Sequence, residues 1–136
     1  MTVMPEQVQK LFKETSNVVF STASLDAQPN MCIVGMKALI DDETVYLSDQ
    51  FFKKTLANLQ ANSKVAIAFW EGIEAYVLYG TARYVNEGPE FEAQKAWVDA
   101  AFEKMGKPIK AKGGCFVHVE QVFTSMPGPT AGDKIA

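Results

Sequence analysis

The spacing of apolar and polar positions changes along the chain, and each change marks an element. After Pro5 and Glu6, Val8, Leu11 and Phe12 recur at helical spacing, so residues 5–14 are predicted to form a short amphipathic helix. NVVFSTAS, from Asn17, is rich in β-branched residues and predicts a strand. LDAQPN then carries turn chemistry into a second apolar run, MCIVGMKALI, and the tight turn DDE at 41–43 leads into TVYLS. These three runs are expected to form a consecutive antiparallel meander. Residues 54–61 have helix-forming composition, with Leu56 and Leu59 three apart, and they precede two more strand runs, KVAIAFWE and EAYVLYGTARYVN. Gly80 interrupts the second of these, where a bend or bulge is expected.

Gly88, Pro89 and Glu90 open another helix, whose stripe of Phe91, Val98, Ala101, Phe102 and Met105 runs to Gly106. CFVHVEQVF at 115–123 is a last strand, and TSMPGPTAGDKIA is too rich in Pro and Gly for regular structure. Six strand segments with two or three helices, mostly in antiparallel order, predict a small closed or split barrel with helices packed outside. The length of 136 residues and 48% hydrophobic content suit one domain spanning 1–136.

Charge narrows the function classes. A net charge of −3 argues against nucleic-acid binding as the main role, because a basic face normally supplies that affinity. Arg83 is the sole arginine among thirteen basic residues, so an anion site must rest on lysine, hydroxyls and backbone N–H groups. Cys32 and Cys115 each sit inside an apolar run and read as buried free thiols, which suits a reducing cytoplasm. The N-terminus turns charged and amphipathic within a few residues, so neither a signal peptide nor a membrane span is expected there.

Most candidate chemistry has a plainer explanation. His118, the single histidine, has no ligand cluster near it in sequence, so no metal site is expected. A Cys32–His118 nucleophile pair would need the fold to join them. Asp41/Asp42 and Glu90/Glu92 occupy a turn and a helix start, where acidic residues serve capping. GPTAGDK lacks the glycine spacing of a phosphate loop. Phe69, Trp70, Tyr76, Tyr79 and Tyr84 are read as core packing before base stacking.

The stretch FFKKT is different. Lys53 and Lys54 fall at a helix N-terminus, whose partial positive charge repels each of them by about a few tenths of a kcal/mol. Either both are simply solvated, or they share an anion with the Thr55 hydroxyl and the free N–H groups of the first turn, with Ser48 facing the same point.

The order of strand, Asp-containing turn, Pro, strand, turn and strand, followed by K-T-x-x-N-hydrophobic-x-x-N and a β-rich run, spans TASLDAQPNMCIVGMKALIDDETVYLSDQFFKKTLANLQANSKVAIAF. With EGPEFEAQKAW and FTSMPGPTAGDKI, this resembles the pyridoxamine 5′-phosphate oxidase-like FMN-binding split barrels, in particular their small free-standing members. The resemblance implies a mainly β fold with α, a six-stranded antiparallel split β-barrel of Greek-key type with two to three flanking helices.

It further implies an FMN cofactor whose phosphate is held by Lys53, Lys54 and Thr55. The flavin ring would lie along Ile33, Val34, Gly35, Met36 and Lys37, with Leu47 and Ser48 flanking the ribityl chain. A homodimer with FMN in the interface is implied, in which Met126, Pro127 and Gly128 of the partner would close the site. The oxidase itself uses an Arg–His pair near its C-terminus to hold pyridoxamine phosphate, and this chain has none, so that activity is not expected. The resulting reading is a cytoplasmic FMN-binding redox protein or oxidoreductase with an unidentified electron donor and acceptor. The alternatives are a non-enzymatic flavin carrier or sensor, or an OB-like binding barrel without flavin.

Overall fold

A computed structural model describes residues 3–136. The chain runs α1 (Glu6–Glu14), β1 (Val18–Ala23), β2 (Pro29–Val34), β3 (Lys37–Leu39), β4 (Thr44–Asp49), α2 (Lys54–Ala61), β5 (Lys64–Glu71), β6 (Glu74–Val85), α3 (Pro89–Lys104) and β7 (Gly113–Thr124). All strands join one antiparallel sheet in the order β2-β1-β5-β6-β7-β4-β3. The sheet curls as a split barrel around buried Phe20, Ile67, Phe69, Leu78 and Val117. Val8, Leu11 and Phe12 of α1 join this core, Phe12 meeting Phe69 edge-on at 5.5 Å.

Seven strands replace the six expected, and the extra one comes from a single run. MCIVGMKALI breaks at Gly35–Met36 into β2 and β3, which lie at opposite ends of the strand order. The expected meander is therefore two hairpins joined by a chain that crosses from one sheet edge to the other. β2 pairs with β1 from Val34↔Val18 to Pro29↔Ala23, whereas Lys37–Leu39 pairs with β4. Two contacts fix the crossing. The Ser48 N–H donates to Met36 O at 2.9 Å, and the Lys37 ammonium donates to Phe12 O in the last turn of α1, where unpaired carbonyls favour a cation.

Gly80 marks a register shift between β6 and β7, as its place in the sequence suggested, and a Cβ there would collide with the His118 carbonyl. The last strand starts two residues earlier than predicted, at Gly113–Gly114. The rings of Tyr84 and Tyr46 pass directly over these two glycines, leaving no room for side chains. The tail turns back after Thr124 and returns to β7, with the Ile135 N–H donating to Val122 O at 2.8 Å.

Candidate functional site

Where β2 leaves the sheet edge, it forms one wall of a cavity of about 720 Å³, within the range typical of small-molecule sites. Residues 30–36 line this wall, and the rest of the lining comes from Ser16, Ser48, Gln50, residues 51–55, Phe102 of α3 and Met105 just after that helix. Since β2 pairs only with β1, the other side of its backbone has no strand partner within the chain.

The end of β4 sets the entry to α2. Asp49 is fully buried and accepts from the Phe52 N–H at 2.8 Å and the Tyr84 hydroxyl at 2.6 Å. Lys112 lies 4.0 Å from the same carboxylate and donates to Phe52 O at 3.2 Å. Burial, then the hydrogen bond to Asp49, pushes the Tyr84 hydroxyl well above its ordinary range, so it remains a donor. This knot fixes the turn that brings Lys53 and Lys54 to the cavity.

At that point α2 begins with Lys53 as its N-cap residue, with no side-chain cap and no acidic residue in the first turn. Lys53 and Lys54 are exposed and make no ion pair among the described residues. Thr55 is 3% exposed and accepts from Asn30 Nδ2 at 3.1 Å. The sole arginine is engaged elsewhere, paired with Glu90 and stacked over Phe116.

Eight of the sequence-predicted residues come together on this cavity: Lys53, Lys54, Thr55, Ser48, Ile33, Val34, Gly35 and Met36. Leu47 is next to Ser48 but faces the core. Lys37 points away, its ammonium 4.8 Å above the Phe12 ring, and burial pushes its pKa below the usual range. Met126, Pro127 and Gly128 sit in the loop after β7, outside the cavity lining of the single chain.

Both cysteines are free. Cys115 is in the core, while Cys32 is half-buried on the cavity wall. Burial raises the Cys32 thiol, a hydrogen bond with Thr55 opposes this, and the Asp49 charge adds to the rise. His118 is exposed on β7 and does not line the cavity.

Sequence reasoning missed nine residues of the lining, Ser16, Met31 and Cys32 with Asn30, Gln50, Phe51, Phe52, Phe102 and Met105, and it missed Asp49 behind it. Of these, Asp49 carried a local signal: an Asp that ends a strand and opens a short turn is placed to accept the N–H three residues on, here that of Phe52 just ahead of α2.

A profile described as pyridoxamine 5′-phosphate oxidase matches residues 4–124. The chain belongs to the pyridoxamine 5′-phosphate oxidase family. Among curated relatives, an uncharacterized protein of Methanocaldococcus jannaschii is 33% identical over 135 residues, covering 96% of this chain and 86% of the relative. Among solved structures, HupZ of Group A Streptococcus superposes with a TM-score of 0.78 at 26% identity, covering 95% of this chain and 99% of that one. An FMN-binding protein from Syntrophomonas wolfei gives 0.74 at 17% identity over 88% and 84% of the two chains. HutZ, the heme storage protein of Vibrio cholerae, gives 0.67 at 15% identity over 92% and 97%. At these last two identities the likeness establishes the fold alone. No helix among the described residues is long and apolar enough to cross a membrane.

Proposed function

We propose that this family member binds FMN in the β2 cavity and acts as a cytoplasmic redox protein. The observation that carries the reading is the uncapped start of α2, which opens into a mainly apolar cavity with two unpaired lysines. An apolar slot ending in cationic and N–H donors suits a flat ring that bears a phosphate. Lys53, Lys54 and Thr55 would hold the phosphate, and the unpaired backbone edge of β2 beside Gly35 would hold the polar rim of the ring. Ser48, fixed by Gln50 Nε2 at 2.7 Å, would face the ribityl chain. When bound, FMN supplies one- and two-electron transfer, while the protein sets orientation and water access.

The outer sheet face supports a homodimer. Ile33, Val19, Ala68, Val77 and Phe123 form one row across five strands, and Tyr79 stacks at 4.9 Å against Phe123 in the adjoining row. Ile33 is 66% and Trp70 58% exposed, which makes this an open apolar face. A two-fold axis running along the strands would set the β2 end of this row in one chain against the β7 end of the row in the other. The partner's Met126–Gly128 loop would then approach the cavity.

The carrier or sensor reading has one observation in its favour. Among the described residues lining the cavity, only Cys32, Lys53 and Lys54 carry ionisable side chains, so no carboxylate or imidazole stands ready to move a proton. The first experiment is the visible spectrum of the purified protein before and after adding FMN, with any released chromophore identified by mass. A flavin spectrum supports the site, and steady oxidation of NADH or NADPH by the loaded protein separates a redox enzyme from a carrier. A released haem or deazaflavin, or no affinity for flavin, overturns the reading.

A further inference from the structure

Two asparagines of the helix motif, Asn58 and Asn62, lie outside the cavity lining, and their contacts lead away from it. Asn58 Nδ2 donates to Thr22 Oγ1 at 3.0 Å, and Asn62 Nδ2 donates to the Ala23 carbonyl at 3.3 Å. Both partners belong to β1. From β2, Asn30 Nδ2 reaches the same Thr22 oxygen at 3.4 Å and Thr55 Oγ1 at 3.1 Å. Thr22 is 2% exposed, so its hydroxyl is a buried hub shared by two amides from two different elements.

We infer that Thr22, Asn30 and Asn58 are positioning residues that set the phosphate-binding start of α2, an inference that rests on the FMN reading above. Thr55 and Asn58 are three apart and lie on one face of α2. The contacts from Asn58 to Thr22, Thr22 to Asn30 and Asn30 to Thr55 therefore close a ring that ties this face to the β1–β2 hairpin. The ring fixes both the height of the first turn against the sheet and its rotation about the helix axis.

It also leaves a proton available. A threonine hydroxyl carries one hydrogen, and an amide N–H that donates into its oxygen occupies one lone-pair direction. With Asn30 donating, the Thr55 proton is left free to point at an acceptor in the cavity, with the Cys32 sulfur as its alternative partner. Preorganised donors of this kind lose little order when an anion arrives, which is where their contribution to affinity originates. The two lysines have long, mobile stems and supply charge. The clamped hydroxyl and N–H groups supply direction.

The test compares Kd values for FMN and riboflavin, which differ by the phosphate, in the full-length protein and in Thr22→Val, Thr22→Ser and Asn58→Ala. Thr22→Val keeps the shape and loses the acceptor, Thr22→Ser restores it, and Asn58→Ala removes a donor from a half-buried position. The expected result is at least a ten-fold fall in the preference for FMN in Thr22→Val and Asn58→Ala, little change in riboflavin affinity, and recovery in Thr22→Ser. If the wild-type protein prefers FMN but both variants retain that preference within two-fold, the positioning role is overturned while the phosphate site stands. Equal losses for both ligands assign the ring to general stability and also overturn it. A wild-type protein that binds both ligands equally removes the phosphate site and this inference together. Should Thr22→Val not fold, Asn58→Ala decides between the same outcomes.

Discussion

At the scale of single residues, Lys53 and Lys54 stand exposed at the start of α2 and line the cavity. They are cations at the wrong end of a helix, and that oddity needs no coordinates to be seen. Lys54→Glu is expected to weaken FMN binding far more than riboflavin binding. A charge-assisted hydrogen bond contributes roughly 1.5–3 kcal/mol, so the loss should be on the order of ten- to hundred-fold in Kd. Equal losses in a fluorescence titration would remove the role. The hub at Thr22 was not legible, because its importance comes from partners 8 and 36 residues away. Asp99 offers a pH test. Burial works to raise its pKa, but the Lys95 ammonium at 2.6 Å and the Ala111 N–H outweigh that and leave it lowered. A carboxylate depressed in the folded state stabilises above its unfolded pKa and ceases to as pH falls through the folded one. Urea unfolding of wild type and Asp99→Asn should therefore differ near neutral pH and converge below the ordinary carboxylate range.

At the scale of elements, periodicity located the three helices, and the predicted limits of α2 match the observed ones. It failed where one apolar run serves two strands. MCIVGMKALI reads as continuous because both halves are apolar, and what breaks it is the bond from Ser48 to Met36 and the pull of Lys37 towards α1. The early start of β7 was hidden for a related reason. Glycines weaken a strand on propensity, and here they are required by two tyrosine rings. Gly114→Ala is expected to displace Tyr46 from its place beside Phe116, at a cost of about 1–3 kcal/mol, typical of overpacking, measurable as a shift in the urea midpoint.

At the scale of the whole molecule, the single chain forms a cavity at the β2 edge and exposes apolar residues on the outer sheet face. Nothing in the linear pattern separates that face from the core. Both are alternating strands, and only the curl of the sheet decides which rows turn inward. If the partner's tail closes the site, deleting residues 126–136 should lower FMN affinity. Mixed dimers that combine one intact tail with one Lys54→Glu cavity would identify which chain's tail acts. Unchanged affinity after the deletion, with Met126→Ser as a milder check, would remove the tail from the site.

The open backbone edge of β2 also bears on self-association. An unpaired strand edge is a template on which another chain can add a strand, and exposed Met31 and Ile33 make this one attractive. A ligand lying along β2 would cover that template, so the cofactor would act as a cap against misassembly as well as a chemical tool. Protein stripped of ligand should scatter light and gain thioflavin-positive material faster than loaded protein at the same concentration. A β2 edge made less receptive, for example by Met31→Lys, should remove most of that difference.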